Sequence, residues 1–241
     1  MRFSDFPSLH AARAPDAPAV VFEEMRWNYG ELDRRVEECA KALLACGIAR
    51  GDRVAMLATP RPEYAVVFLA TARIGAIWVG LNPVQQLDEY RYILSDTQPA
   101  IIFAFERLRE RDNHQILLTL KSEYPCARRF VLFDGPMAGF LSYEAFIALG
   151  RGVSDRELAA GVAGVLPGDA ALIVYTSGST GKPKGAVLTQ LNIAHWTTLY
   201  RELWPRTPLR VICNLPVTHI GCCVETLAFA LAAGGTIVFQ E

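Results

Sequence analysis

The 241-residue sequence has almost no net charge, no paired metal-ligand spacing and no apolar run of membrane length, and each shortage removes a class of function. Twenty-four Lys and Arg against 25 Asp and Glu give a formal charge of -1, which leaves no electrostatic footprint for nucleic acid or an anionic membrane surface. Six cysteines occur (Cys39, Cys46, Cys126, Cys213, Cys222 and Cys223), but no two form a CxxC pair and no His lies at ligand spacing from two of them. A zinc site is therefore not expected, and no metal ligand is assigned. Scattered unpaired thiols suit a reducing cytosol, and the Cys222-Cys223 pair, in an apolar stretch, reads as buried thiols rather than a redox centre. The start, MRFSDFPSLHAARAPDAP, has acids and prolines where a signal or transit peptide needs an apolar or acid-free core. The longest apolar stretch, Thr226 to Phe239, is too short to cross a bilayer and is broken by Gly234-Gly235. Internal repeats, heptads and low-complexity tracts are also missing.

What is present is an ordinary globular composition, 51% hydrophobic and 20% charged, long enough for a sizeable core. Apolar segments and helical periods alternate. Ala19–Phe22 and Arg26–Tyr29 read as a short hairpin. Leu32, Val36, Ala40, Leu43 and Leu44 have helical spacing, and Gly47 ends that helix. Strands are expected at Val54–Ala58, Ala76–Val79, Ala100–Phe103, Phe130–Phe133, Ala170–Tyr175, Ala186–Leu188, Val211–Cys213 and Thr236–Phe239, with helices between most of them. This rhythm predicts an α/β fold of largely parallel β-sheets covered by helices. Residues 1-168 are expected to form an N-terminal α/β subdomain. Residues 169-241 are expected to carry a loop segment and the start of a second sheet. Gly150 to Gly168, small and punctuated by Gly and Pro, reads as the surface connection between the two.

The most informative stretch is YTSGSTGKPKG, Tyr175 to Gly185, directly after the apolar run Ala170–Val174. A phosphate loop needs backbone N–H groups converging on an anion, hydroxyl donors and positive charge. Gly178, Gly181 and Gly185 meet the first need. Thr176, Ser177, Ser179 and Thr180 meet the second, and Lys182 and Lys184 the third. The spacing is not that of a Walker A loop, because Thr176 and Pro183 stand where that motif needs Gly and Ser or Thr. A strand is expected to follow, so no helix N-terminus is available to the anion. The bland alternative is a hydrophilic hairpin loop.

The string Ile173 to Gly185 resembles the signature of the AMP-binding, adenylate-forming enzymes: acyl-CoA synthetases, luciferases and peptide-synthetase adenylation domains. The likeness continues in YGELDRRVEECAKALLACGIARGDRVAMLATPRPEYAVVFLATARIGAIWVGLNP, with its Gly-Asp-Arg-Val turn and Asn82-Pro83 strand end, and in Asn214 to Gly221, similar to a Pro-x-x-His-x-x-Gly segment. The resemblance implies the N-terminal portion of the adenylate-forming synthetase fold. It implies ATP phosphate binding by Thr176, Ser177, Gly178, Ser179, Thr180, Gly181 and Lys184, with His219 lining an acyl pocket. It further implies an acid–thiol ligase: ATP with Mg2+ activates a small carboxylic or fatty acid as an acyl-adenylate, and coenzyme A takes the acyl group as co-substrate. Thr218 stands where the family usually has an aromatic or large apolar residue, and Gln190 where His is frequent.

The family's later motifs have no counterpart in these residues: an aromatic-Gly-x-Thr-Glu segment, a ribose-binding Thr-Gly-Asp segment, and a C-terminal lid with a catalytic lysine. No catalytic residue is therefore assigned. The expectation is the N-terminal part of the ligase, unable alone to form the adenylate, with an apolar sheet edge left at Thr236–Phe239 that favours self-association. A non-catalytic phosphate-binding or interaction module, or part of a peptide-synthetase adenylation domain, remains the alternative.

Overall fold

The computed structural model describes residues 1–176, 182–205 and 207–240. Helix α1 (Phe6–Arg13) precedes a hairpin of β1 (Pro18–Phe22) and β2 (Met25–Asn28). Asn28 then starts α2 (Tyr29–Ala45) through a capping box: Glu31 N–H donates to the Asn28 side chain at 2.8 Å, and Asn28 N–H donates to the Glu31 carboxylate at 3.0 Å. The expected stripe of α2 faces the core, with Leu32, Val36, Ala40 and Leu43 fully buried. Gly47 takes the left-handed conformation (φ 73°) that stops the helix.

The alternation then runs β3 (Arg53–Leu57), α3 (Pro62–Arg73), β4 (Ile77–Leu81), α4 (Leu87–Thr97) and β5 (Ile101–Ala104). A two-rung hairpin of β6 (Arg107–Leu108) and β7 (Arg111–Asp112) leads to α5 (His114–Glu123), β8 (Arg129–Leu132), β9 (Leu141–Ser142) and α6 (Tyr143–Leu149). After α7 (Asp155–Ala163) come β10 (Ala170–Thr176), β11 (Lys184–Thr189), α8 (Gln190–Leu203) and β12 (Arg210–Cys213). A π-helical stretch, Gly221–Ala228, continues into α9 (Phe229–Ala233), and β13 (Thr236–Phe239) follows.

Among the described residues, one sheet has the order β11-β10-β4-β3-β5-β8-β9 and another the order β12-β13-β1-β2. Within these two sheets every pairing is parallel except the β10–β11 and β1–β2 hairpins. Strands β3, β4 and β5 are buried almost throughout because helices cover both faces, and so they read as unbroken apolar runs. Strands from both sides of residue 168 enter each sheet: β10 and β11 extend the first, while β1 and β2 complete the second.

Two expectations need correction. The stretch Gly150–Gly168 is not a bare connection, since it contains α7. Its start was marked by a Ser154-x-x-Glu157 box, in which Ser154 N–H donates to Glu157 at 2.8 Å and Glu157 N–H returns the bond at 3.3 Å. Strand β13 is not a sheet edge. It lies between β12 and β1, with Val20 opposite Ile237 and Arg210 opposite Thr236, so Ile237 and Phe239 are buried. The partner β1 comes from the other end of the chain, a pairing that no local pattern reveals. The outer strand on that side is β12, where Ile212 is 57% exposed.

Cys222 and Cys223 are buried as expected, and burial pushes the Cys223 thiol up to about 12. All six cysteines are unbridged. No helix among the described residues is long and apolar enough to cross a membrane.

Gln190, the departure from the family pattern, has a structural task. Fully buried at the start of α8, it donates from Nε2 to the carbonyl of Ala72 at 2.7 Å and accepts from Ser4 N–H at 3.4 Å, fastening α8 to α3 and to the N-terminal segment. Gln190→Ala removes both bonds inside the core and should lower unfolding free energy by about 1–3 kcal/mol. Urea denaturation measures this, and an unchanged midpoint would show that the contacts are idle.

Candidate functional site

Strand β10 lies parallel to β4, with Leu172 opposite Trp78 and Ile173 opposite Val79, and therefore delivers its end to the carboxyl edge of the parallel sheet. In α/β sheets this edge is where ligands bind, because the loops leaving the strands splay apart there. Strand β11 returns antiparallel along β10, and the ladder closes with Tyr175 opposite Gly185 and Thr176 opposite Lys184. A strand does follow the loop, as expected. Thr176 and Lys184, from the expected phosphate-binding set, thus face each other across the open end of the hairpin, both exposed, with the Thr176 hydroxyl 3.4 Å from the Lys184 carbonyl. Ser177, Gly178, Ser179, Thr180 and Gly181 lie outside the described residues. Lys182 adds a second exposed ammonium.

Side chains of α4 flank the hairpin. The Tyr92 hydroxyl donates to the carbonyl of Pro183 at 2.8 Å, and the Tyr175 hydroxyl donates to the Asp96 carboxylate. Burial, and then the carboxylate that accepts its hydrogen bond, push the Tyr175 hydroxyl well above its ordinary value. The ammonium of Lys182 stands 5.7 Å from the centre of the Tyr92 ring. A cavity of 450 Å³ lies here, with Glu89, Tyr92, Tyr175, Thr176 and Lys182 among its walls.

A second cavity, of 470 Å³, opens at the carboxyl ends of β3 and β4 between Thr59, Asn82, Val84, Arg109 and Pro216. Asn82-Pro83 closes β4 as the sequence suggested, and Arg111 ties the β6–β7 hairpin to this corner by donating to the carbonyl of Gln85 at 2.8 Å. Glycine at position 80 lets the segment after β12 approach, since a Cβ there would fall 2.8 Å from the carbonyl oxygen of Val217.

His219 sits on that segment, exposed, just before the π-helical stretch. Its Nδ1 accepts from Gly221 N–H at 3.0 Å, which leaves Nε2 as the N–H donor of the neutral ring. Its neighbour Ile220 lines a 550 Å³ cavity with Leu191, His195, Trp196 and Val224. Sequence reasoning missed Tyr92, Asp96 and this α8 wall. Tyr92 and Asp96 act on residues 91 and 79 positions away, beyond any local spacing rule.

A family model described as AMP-binding enzyme matches residues 8–241. The chain is 33% identical over 245 aligned residues to an indoleacetate–CoA ligase of Aromatoleum aromaticum, an alignment that covers 100% of the chain and 45% of that relative. Among solved structures, the N-terminal domain of FACL13 from Mycobacterium tuberculosis superposes with a TM-score of 0.80 at 22% identity, covering 100% of this chain and 57% of that one. ATP-bound MatB from Rhodopseudomonas palustris superposes at 0.79 with 26% identity, covering 100% of this chain and 45% of that one. The chain therefore spans about half the length of the proteins that it matches.

Exposure of His219 sets a clear expectation. Water can replace the ring at Gly221 N–H, so His219→Ala should change unfolding free energy by less than about 0.5 kcal/mol. Thermal melts check this, and a loss of several degrees would mark the ring as a structural cap.

Proposed function

The chain belongs to the AMP-binding enzyme family, and on that footing we propose that it is the N-terminal, phosphate-loop part of an ATP-dependent carboxylic acid–CoA ligase. The observation that carries the proposal is the Thr176–Lys184 pair at the open end of a hairpin on the carboxyl edge of a parallel sheet. In this reading the loop holds the β- and γ-phosphates of ATP. An acid carboxylate attacks the α-phosphorus, the bond to the bridging oxygen of the β-phosphate breaks, and pyrophosphate leaves with that oxygen. The acyl-adenylate then gives its acyl group to the thiol of coenzyme A and releases AMP. Lys184 neutralises charge that builds on the departing pyrophosphate, and the Thr176 hydroxyl donates to a phosphate oxygen. Ser177, Gly178, Ser179, Thr180 and Gly181 supply the remaining amides and hydroxyls, and His219 borders the acyl site.

The relative named for indoleacetate and the solved chain named for bound ATP support these substrates. Among the described residues no group of three or more His, Cys, Asp and Glu is placed to hold a metal ion. A magnesium ion would then enter with the nucleotide, held chiefly by phosphate oxygens and water, as this small ion prefers. Six unbridged cysteines fit a cytoplasmic setting, and fatty acids fall within the acid class that such a ligase could take.

Removing Lys184 tests the proposal. A charge-assisted contact to polyphosphate is worth roughly 1.5–3 kcal/mol, so Lys184→Ala in the full-length polypeptide should cut kcat/KM for ATP by about 10- to 100-fold. Acid-dependent pyrophosphate release at varied ATP measures it. Unchanged kinetics would remove Lys184 from the phosphate site.

A further inference from the structure

The hairpin that carries the loop is weakly held by its own sheet. Among the described residues, strand β11 pairs with β10 alone and is exposed over Lys184–Val187, while β10 itself meets β4 through the register pairs Leu172–Trp78 and Ile173–Val79. Among the described residues the ladder ends with the Thr176–Lys184 rung, and the last rung of a hairpin frays most readily unless something else holds it. That something is α4. Tyr92 and Asp96 are four residues apart on this helix and so share a face. Tyr92 donates to the carbonyl of Pro183 on the outgoing stem at 2.8 Å. Pro183 has no N–H, which makes that carbonyl its sole backbone hydrogen-bonding group. Asp96 accepts from the hydroxyl of Tyr175 on the incoming stem. The two tyrosine rings meet edge to face with centroids 6.2 Å apart, a favourable aromatic geometry.

The helix that makes these contacts is firmly seated. Tyr90, Ile93, Leu94 and Thr97 are buried, a Gln86–Glu89 box caps its start, and the Tyr90 hydroxyl donates to the carbonyl of Asn82 at 2.7 Å. A rigid support that grips both stems keeps the Thr176–Lys184 rung closed. It thereby lowers the ordering cost when an anion is enclosed, since less chain freedom remains to be lost.

We propose that Tyr92, Asp96 and Tyr175 are positioning residues: a bracket on α4 that holds the two stems of the loop at the separation needed to take a polyphosphate. The inference rests on the reading of the loop as a nucleotide-phosphate site. In this assignment the three act through Thr176, Pro183 and Lys184 rather than by direct contact with the phosphate. Each hydroxyl contact is a single hydrogen bond at a half-buried or exposed site. Its loss should therefore leave global stability nearly unchanged and appear in ligand affinity.

The probe is sodium tripolyphosphate, titrated calorimetrically into the 241-residue chain, with amide hydrogen exchange over residues 184–189 followed in parallel. Tyr92→Phe and Tyr175→Phe keep the rings and lose the hydroxyl bonds. Each should weaken tripolyphosphate binding roughly three- to tenfold, speed exchange in β11 and leave the melting temperature in place. Asp96→Ala should match Tyr175→Phe. Asp96→Asn, which retains an oxygen acceptor, should bind within about twofold of the wild type. Wild-type affinity in both Phe variants, with Lys184→Ala still defective, would overturn the bracket and leave the phosphate site standing. Equal weakening by Asp96→Asn and Asp96→Ala would also count against the bracket, by showing that charge and not the hydrogen bond matters. No binding by the wild-type chain would remove the phosphate reading, and the positioning role with it.

Discussion

Parallel pairing of β10 with β4 is the constraint on which the site depends. Two register pairs, Leu172–Trp78 and Ile173–Val79, set both the direction and the height of β10 in the sheet. With the strand parallel to β3, β4 and β5, its C-terminal end emerges among theirs, at the cavity walled by Tyr92, Tyr175, Thr176 and Lys182. An antiparallel β10 would put the same glycine, hydroxyl and lysine string at the opposite edge, away from the loops that leave β3, β4 and β5. Trp78 anchors this pairing: it is fully buried, with the Tyr64 and Phe68 rings 5.3 and 5.2 Å away. The heavy apolar burial in α3 and β4 therefore has a functional consequence some distance from the core, because it determines where a polar loop can act.

Much of this was legible in the sequence, for identifiable reasons. Strands covered on both faces leave unbroken apolar runs, and the runs at 54–58, 76–79 and 100–103 became β3, β4 and β5. Helix starts and stops were written locally, in Asn28–Glu31 and in Gly47. The candidate site was readable where its residues are contiguous, as in the loop string, of which the structure describes Thr176 and residues 182–185. What escaped was long-range. The insertion of β13 between β12 and β1 joins residues more than 200 positions apart, so the apolar run Thr236–Phe239 looked like an edge when it is an interior strand. Tyr92 and Asp96 had nothing nearby to mark them, since their partners lie on the loop stems. Helix α7 is a different kind of miss: Ser154 and Glu157 announced it, but the surrounding Gly and Pro outweighed the signal.

The correction at β13 also moves the exposed apolar surface. Strands β11 and β12 each form one edge of their sheets, and Val187 and Ile212 are each 57% exposed on them. Leu203 and Trp204, at the end of α8, add to the same part of the chain at 61% and 51% exposure. Exposed strand edges of this kind are poorly protected against pairing. Strand β11 is also one stem of the candidate loop, so that part of the chain is among the least enclosed. Support for the loop stems from α4 has correspondingly more to do than it would in a hairpin buried between other strands.

Phosphorus NMR of MgATP titrated with the chain tests the central claim most directly, because it reports on each phosphate separately. If the β10–β11 hairpin is a polyphosphate site, the β- and γ-phosphate resonances should shift and broaden before and more strongly than the α-phosphate resonance. Perturbation confined to the α-phosphate, or binding detected through the adenosine protons with all three phosphate signals unmoved, would contradict the account.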